Sequence, residues 1–220
     1  RSAWFGTACC PPNLMRTVMN LGGYIYTQKG NEVTMNLYIA NNATLNVGGK
    51  PVKLNLESDM PWEGTSKLTV GVDEAQQFSI RFRVPDWATG ENTVMVGGEA
   101  VSATPDANGY VVIDRVWNDG DTVELNFPME ATRVYADERV EADRGFTAVK
   151  RGPIVYAAEG ADNDFKFNMA TLPTDSEFTT EWVENLDGEP DPYGIKSVLK
   201  IKVPGKLQSL SADGFDEITW

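Results

Sequence analysis

Histidine is absent from this chain of 220 residues. Its absence removes the commonest general base and the commonest metal ligand from any chemistry the chain performs by itself. Cysteine is nearly absent too: the chain has two, Cys9 and Cys10, side by side. Disulfide stapling is therefore not the stabilising device, and the redox compartment is not indicated. Adjacent cysteines also strain badly when bonded to each other, because disulfide geometry wants Cα atoms farther apart than one peptide link comfortably allows. No apolar run approaches the about 20 residues of a transmembrane helix. Positive charge is scarce, with 19 Lys and Arg against 32 Asp and Glu and a formal net charge of −13. A nucleic-acid backbone or an anionic membrane surface would be repelled, which argues against both as partners, whereas neutral substrates stay open. The opening Arg1-Ser2-Ala3-Trp4-Phe5 carries neither an initiator Met nor a charged-then-apolar targeting pattern and reads as a cut end. Compartment is thus left open between periplasm and cytoplasm, and no feature indicates an oligomeric state.

What is present begins with Cys9-Cys10-Pro11-Pro12-Asn13. Pro11 and Pro12 suit the opening of a helix, where a missing N–H is no loss, and Leu14, Met15, Val18, Met19 and Leu21 follow at spacings of three and four. Gly22 and Gly23 are expected to stop it. Both sulfurs would then sit just ahead of a helix N-terminus, a setting that favours an anion. A metal is a better partner for the two sulfurs than they are for each other. The bland alternative is a pair of small buried hydrophobes without chemistry.

After Gly23 the apolar period changes to two. Val33–Ile39, Val52–Glu57, Leu68–Val70, Phe78–Arg83, Thr93–Val96, Tyr110–Ile113 and Val123–Phe127 read as strands, with Gly48-Gly49, Gly97-Gly98, Asn108-Gly109 and Asp119-Gly120-Asp121 as turns between them. No crossover helices intervene, so the chain is expected to be all-β, an antiparallel β-sandwich over residues 23–128. Residues 129–220 are expected to form a second, smaller β-sandwich-like domain, with strands at Phe146–Lys150, Ile154–Ala157 and Val198–Val203. Residues 159–194 read as long loops around a weak strand at Phe178–Val183.

Trp62, Trp87 and Trp117 offer flat apolar platforms on which sugar rings could stack, but each sits beside Pro or Gly or at a strand end, where a large ring more often plugs a core. Asp162-Asn163-Asp164 and Asp187-Gly188-Glu189-Pro190-Asp191 bring calcium to mind, yet neither follows EF-hand spacing, and solvated loops are the expectation. Glu57 and Asp59 would share a face of a strand, as would Arg81 and Arg83, opposite Phe78, Ile80 and Phe82. Arg16 follows the cysteine motif on the helix and is expected either to support that site or to form a surface salt bridge.

Taken together, Cys9-Cys10-Pro11-Pro12-Asn13 with Arg16, then Met60-Pro61-Trp62-Glu63-Gly64, resemble motifs of glycoside hydrolase family 127. Three further segments agree: Arg83-Val84-Pro85-Asp86-Trp87; Gly109-Tyr110 through Arg115 and Trp117, with Gly120-Asp121; and Val149-Lys150-Arg151-Gly152-Pro153-Ile154-Val155-Tyr156 with Glu159. The resemblance covers residues 1 to 160 or so, in order, and thins beyond. It implies a retaining β-L-arabinofuranosidase or close relative, with a helical (α/α)6 barrel carrying the active site and β-sandwich domains after it. Residues 1–22 would be a remnant of that helical domain, and both ends would be truncated. It further implies Cys9 as nucleophile and zinc ligand and Cys10 as a zinc ligand, with a glutamate and a further cysteine completing the set and another glutamate as acid/base. Those partners would lie upstream of Arg1. The expectation is therefore zinc in the intact enzyme, with weak or no zinc binding and no glycosidase activity in these residues alone. The glycan acted on would contain L-arabinofuranosides, its exact sugar and linkage unassigned. The rival expectation is a non-catalytic carbohydrate-binding or structural module.

Overall fold

The computed structural model describes residues 9–160, 163, 169–184, 197–208 and 215–219. The chain divides into two compact units, one ending at Pro128 and one beginning at Met129.

The first unit opens with helices α1 (Cys10–Asn20) and α2 (Gly22–Ile25). Gly22 and Gly23 do not stop the helical path as expected. Leu21 keeps right-handed φ and ψ of −54° and −38°, and the Tyr24 amide donates to the Leu21 carbonyl at 2.9 Å. Glycine within a helix costs only about 1 kcal/mol, so it permits a stop without enforcing one. The turn into extended backbone comes at Tyr26, with φ −121° and ψ 143°.

Ten strands follow: β1 (Tyr26–Lys29), β2 (Glu32–Met35), β3 (Asn41–Val47), β4 (Lys50–Ser58), β5 (Thr65–Val72), β6 (Gln76–Arg83), β7 (Thr93–Val96), β8 (Glu99–Val101), β9 (Tyr110–Trp117) and β10 (Thr122–Asn126). They form a four-stranded sheet, β1-β2-β6-β9, and a six-stranded sheet, β3-β4-β5-β10-β7-β8. Alternation dictates the core: one sheet turns Val33, Met35, Phe78, Ile80, Phe82 and Trp117 inward, and the other turns Val52, Leu54, Leu56, Leu68, Val70, Val123 and Leu125 inward, all in one buried cluster. The turns Gly48-Gly49 (φ 59° and 86°) and Gly97-Gly98 (φ 58° and 84°) have both residues in the left-handed region that a tight hairpin requires.

Two details depart from expectation. The strand predicted to run from Val33 to Ile39 ends at Met35. The Asn36 amide turns to the Ile25 carbonyl, and Tyr38 swings inward so that its hydroxyl donates to the Arg83 carbonyl at 2.6 Å. Within an otherwise antiparallel sandwich, β2 and β6 pair in parallel, with Val33 opposite Ile80. The connection a helix usually makes is supplied here by β3, β4 and β5, which cross through the opposite sheet before the chain returns.

The second unit is built from small antiparallel sheets. One joins β11 (Ala131–Val134), β12 (Ala148–Arg151) and β13 (Ile154–Tyr156); another joins β14 (Ala170–Thr171), β17 (Pro204–Gln208) and β18 (Phe215–Thr219); β15 (Thr179–Glu184) pairs with β16 (Ser197–Lys202). Between β11 and β12 a short 3-10 turn covers Glu141–Asp143.

Candidate functional site

The start of α1 gathers the sequence's chemistry. Cys9 is the N-cap residue, already right-handed at φ −75° and ψ −46°, and its carbonyl accepts the Asn13 amide at 3.2 Å. Cys10 is the first helical residue, so the pair lies within the helix start rather than ahead of it as expected. Prolines in the first turn forgo amides that have no intrahelical partner there, which lets the helix begin at the cysteines without loss.

Both thiols are exposed, and their sulfurs lie 3.5 Å apart. The reading of two small buried hydrophobes does not hold. A disulfide would require about 2.05 Å between sulfurs, so this pair is two free thiols in contact. Two sulfurs held by one tetrahedral zinc at about 2.3 Å each stand about 3.8 Å apart, and the observed separation is close to that bite. The cysteines therefore fit as two donors of a zinc set. Among the described residues no cluster of three or more Cys, Asp or Glu could hold a metal.

The helix that carries them is two-faced. Asn13 and Arg16 follow Cys9 at one and two turns on its side, whereas Leu14, Met15, Val18 and Met19 form an exposed apolar stripe on the other. No residue of α1 is buried. Arg16 is exposed, and its backbone carbonyl accepts the Asn20 side-chain amide at 2.8 Å. No helix among the described residues is long and apolar enough to cross a membrane.

The tryptophans separate by environment. Trp117 is fully buried in the core, and the half-buried Trp87 packs against that core, edge-on to Phe127 at 6.3 Å between centroids. Trp62 is 40 % exposed, in the loop between β4 and β5. Glu57 and Asp59 do come together, lining an open groove of about 480 Å³ with Lys67, Glu124 and Asn126. Three of these four charges are engaged, since Lys67 pairs with Glu124 at 3.3 Å and Asp59 accepts the Thr65 hydroxyl at 2.6 Å. Sequence reading missed Lys67 and Glu124, because only the pairing of β5 with β10 makes them neighbours.

Arg81, on the strand face opposite Phe78, Ile80 and Phe82, is the hub of a network. It pairs with Asp106 at 2.5 Å and Glu32 at 3.6 Å and lies over the Tyr110 ring, whose hydroxyl donates to Asn36. Backbone hydrogen bonds from Tyr110 first, then from Asn108, with the Arg81 charge beside them, hold the Asp106 carboxyl below the usual carboxylate range. Of the acidic stretches, Asp162, Asp164 and residues 187–191 lie outside the described residues, while the Asn163 side chain donates to the Glu159 carbonyl at 2.9 Å.

Comparison with known proteins adds the family. A model of the "Beta-L-arabinofuranosidase, GH127 middle domain" matches residues 32–129, and one of the "Glycoside hydrolase family 127 C-terminal domain" matches residues 131–202. A non-reducing end β-L-arabinofuranosidase of Bifidobacterium longum subsp. longum is 35 % identical over 209 residues, which is 90 % of this chain and 31 % of that protein. The crystal structure of a GH127 β-L-arabinofuranosidase from Geobacillus stearothermophilus T6 superimposes with a TM-score of 0.86 at 34 % identity, covering 100 % of this chain and 35 % of that one. A GH127 β-arabinofuranosidase structure gives 0.86 at 32 % identity, covering 100 % and 36 %. The chain thus spans about a third of the length of these relatives. Two domain models in tandem, and a fold shared along the whole chain, lead to one conclusion: this protein belongs to glycoside hydrolase family 127, of which it carries the middle and C-terminal domains.

Proposed function

We propose that these residues are the β-rich C-terminal part of a retaining β-L-arabinofuranosidase and that their direct contribution to its chemistry is the thiol pair at the start of α1. The observation that carries this reading is the contact of two exposed sulfurs, Cys9 and Cys10, at 3.5 Å. Cys9 is the nucleophile: its thiolate sulfur attacks the anomeric carbon, the glycosidic C–O bond breaks, and the leaving oxygen takes a proton from a carboxylic acid supplied from outside the described residues. Water then attacks the same carbon while giving a proton to the carboxylate left by the first step, the C–S bond breaks, and the thiolate departs with the acid restored. Net retention follows from two displacements.

Zinc, when bound by Cys9 and Cys10 together with donors from elsewhere, would supply a positive charge that keeps sulfur deprotonated without redox chemistry. Cys10 holds its neighbour in place as the second donor. The first unit forms the sandwich that follows α1. Since the described residues offer two thiols and no third clustered donor, the 220 residues by themselves are proposed to lack hydrolase activity.

The test is Cys9→Ser in the full-length enzyme, assayed on an aryl β-L-arabinofuranoside with intact-mass detection of a glycosyl adduct. Loss of turnover and of the adduct is expected. Undiminished turnover would rule out sulfur as the nucleophile.

A further inference from the structure

We propose that Cys9 and Cys10 form a bidentate site for trivalent organoarsenicals of the form R–As(OH)2, so that the same pair is a point of inhibition by this class of soft electrophile. The geometry selects a one-atom bridge over a direct bond. To form a disulfide the sulfurs would have to close from 3.5 Å to about 2.05 Å while Cys9 and Cys10 stay in right-handed backbone, and adjacent residues resist that closure. A bridging atom bonded to both sulfurs needs little movement: the bite is about 3.8 Å for tetrahedral zinc. An arsenic(III) centre makes sulfur bonds of similar length at a narrower angle, which shortens the bite toward the distance observed.

Access and selectivity also favour capture. Both thiols are exposed, α1 buries none of its residues, and the chain has no other cysteine and no histidine to compete. The reaction balances without an oxidant. Each thiol gives up its proton, two As–S bonds form, two As–O bonds break, and two waters leave, with arsenic trivalent throughout. Closing the second bond is intramolecular, so the chelate outlasts a single thiol–arsenic bond by roughly 100-fold or more in competition with free monothiol. Capture needs only the geometry of α1; inhibition of the intact enzyme rests on the reading of Cys9 as its nucleophile.

The test treats the reduced, metal-free 220-residue chain with hydrated phenylarsine oxide and follows intact mass, then challenges the adduct with excess glutathione or with 2,3-dimercaptopropanol. One phenylarsenic per chain is expected, resistant to glutathione and removed by the dithiol. Cys9→Ser and Cys10→Ser, checked for unchanged circular dichroism, should each release it to glutathione roughly 100-fold more readily. Equal resistance in a single-cysteine variant, or ready loss from the unsubstituted chain, would overturn the chelate. In the full-length enzyme, capture with undiminished turnover would overturn the nucleophile reading and leave the chelate standing. Absence of capture by the metal-free 220-residue chain, alongside an inactive full-length Cys9→Ser, would do the reverse.

Discussion

The indole N–H of Trp117 donates to the carbonyl of Phe78 at 2.9 Å, although the strand register sets Trp117 opposite Gln76 and Phe78 opposite Arg115. The bond therefore runs diagonally across β6 and β9, inside the core, with the two rings 5.8 Å apart. A fully buried indole satisfies its own donor and a strand carbonyl at once, which is why a residue with a polar edge can occupy the middle of the sandwich. Trp117→Phe removes that bond and opens space beside Phe78. A loss of about 2–4 kcal/mol in urea unfolding of the first unit is expected.

Gly64 explains one of the family motifs in steric terms. A Cβ built there would lie 1.8 Å from the Phe127 carbonyl oxygen, and the Gly64 carbonyl accepts the Phe127 amide at 3.0 Å. Backbone meets backbone, so no rotamer can relieve the clash. Gly64→Ala should destabilise the first unit by about 3 kcal/mol or more, or prevent its soluble expression. Gly90→Ala is the control, since its Cβ would meet only Pro128 at an ordinary 3.6 Å. A thermal shift equal in the two variants would contradict the steric account.

How far the sequence could be read depended on where each strand's information lies. In β4, Val52, Leu54 and Leu56 alternate with polar residues and each is buried, so the strand is legible from its own residues. In β3 the run Asn41-Asn42-Ala43-Thr44-Leu45-Asn46-Val47 is rich in poor strand formers and only Val47 is fully buried. Pairing along its length with β4 overrides propensity there, and no local pattern announces it. The parallel pairing of β2 and β6 was invisible for a related reason: its crossover is made of strands, which look locally like any others. At the site, the adjacency of Cys9 and Cys10 was plain from sequence, whereas their exposure and 3.5 Å contact required the helix to start at Cys10.

Acid should act on Asp106. Its carboxyl is held below the usual range by amides of Tyr110 and Asn108 and by Arg81, so the folded state binds its proton less readily than the unfolded state does. The stabilisation is then present above the unfolded value of about 4 and is lost as pH falls through the lower folded value. Asp106→Asn removes that contribution at neutral pH and should flatten the decline of the urea midpoint between about pH 6 and about pH 3. An unaltered acid limb in the variant would show that Asp106 is not among the groups that set it.

Base should act on Tyr38. Burial raises its phenol far above the ordinary value, because the hydroxyl sits inside the core against Phe127, at 5.4 Å between rings, and the opposing Arg83 charge does not cancel the rise. For a group whose folded value is raised, the contribution is intact below the unfolded value of about 10 and fades as pH climbs beyond it. Ultraviolet titration should find this phenol un-ionised until the unit unfolds. Tyr38→Phe should cost about 1 kcal/mol at neutral pH and soften the alkaline loss.

The last prediction concerns metal. Two thiolates can anchor zinc, but a closed tetrahedral site needs four donors, and a site open for chemistry needs three. Among the described residues Cys9 and Cys10 have no third Cys, Asp or Glu clustered with them. Zinc titrated into the 220-residue chain, followed by competition with a chromophoric chelator, should therefore bind weakly, and Cys10→Ser should remove what binding there is. Full-length enzyme should instead hold one zinc through gel filtration and lose activity when a strong chelator strips it. Tight one-to-one binding by the short chain would mean that it completes the donor set itself, and the division of the active site between these domains and the rest of the enzyme would have to be abandoned.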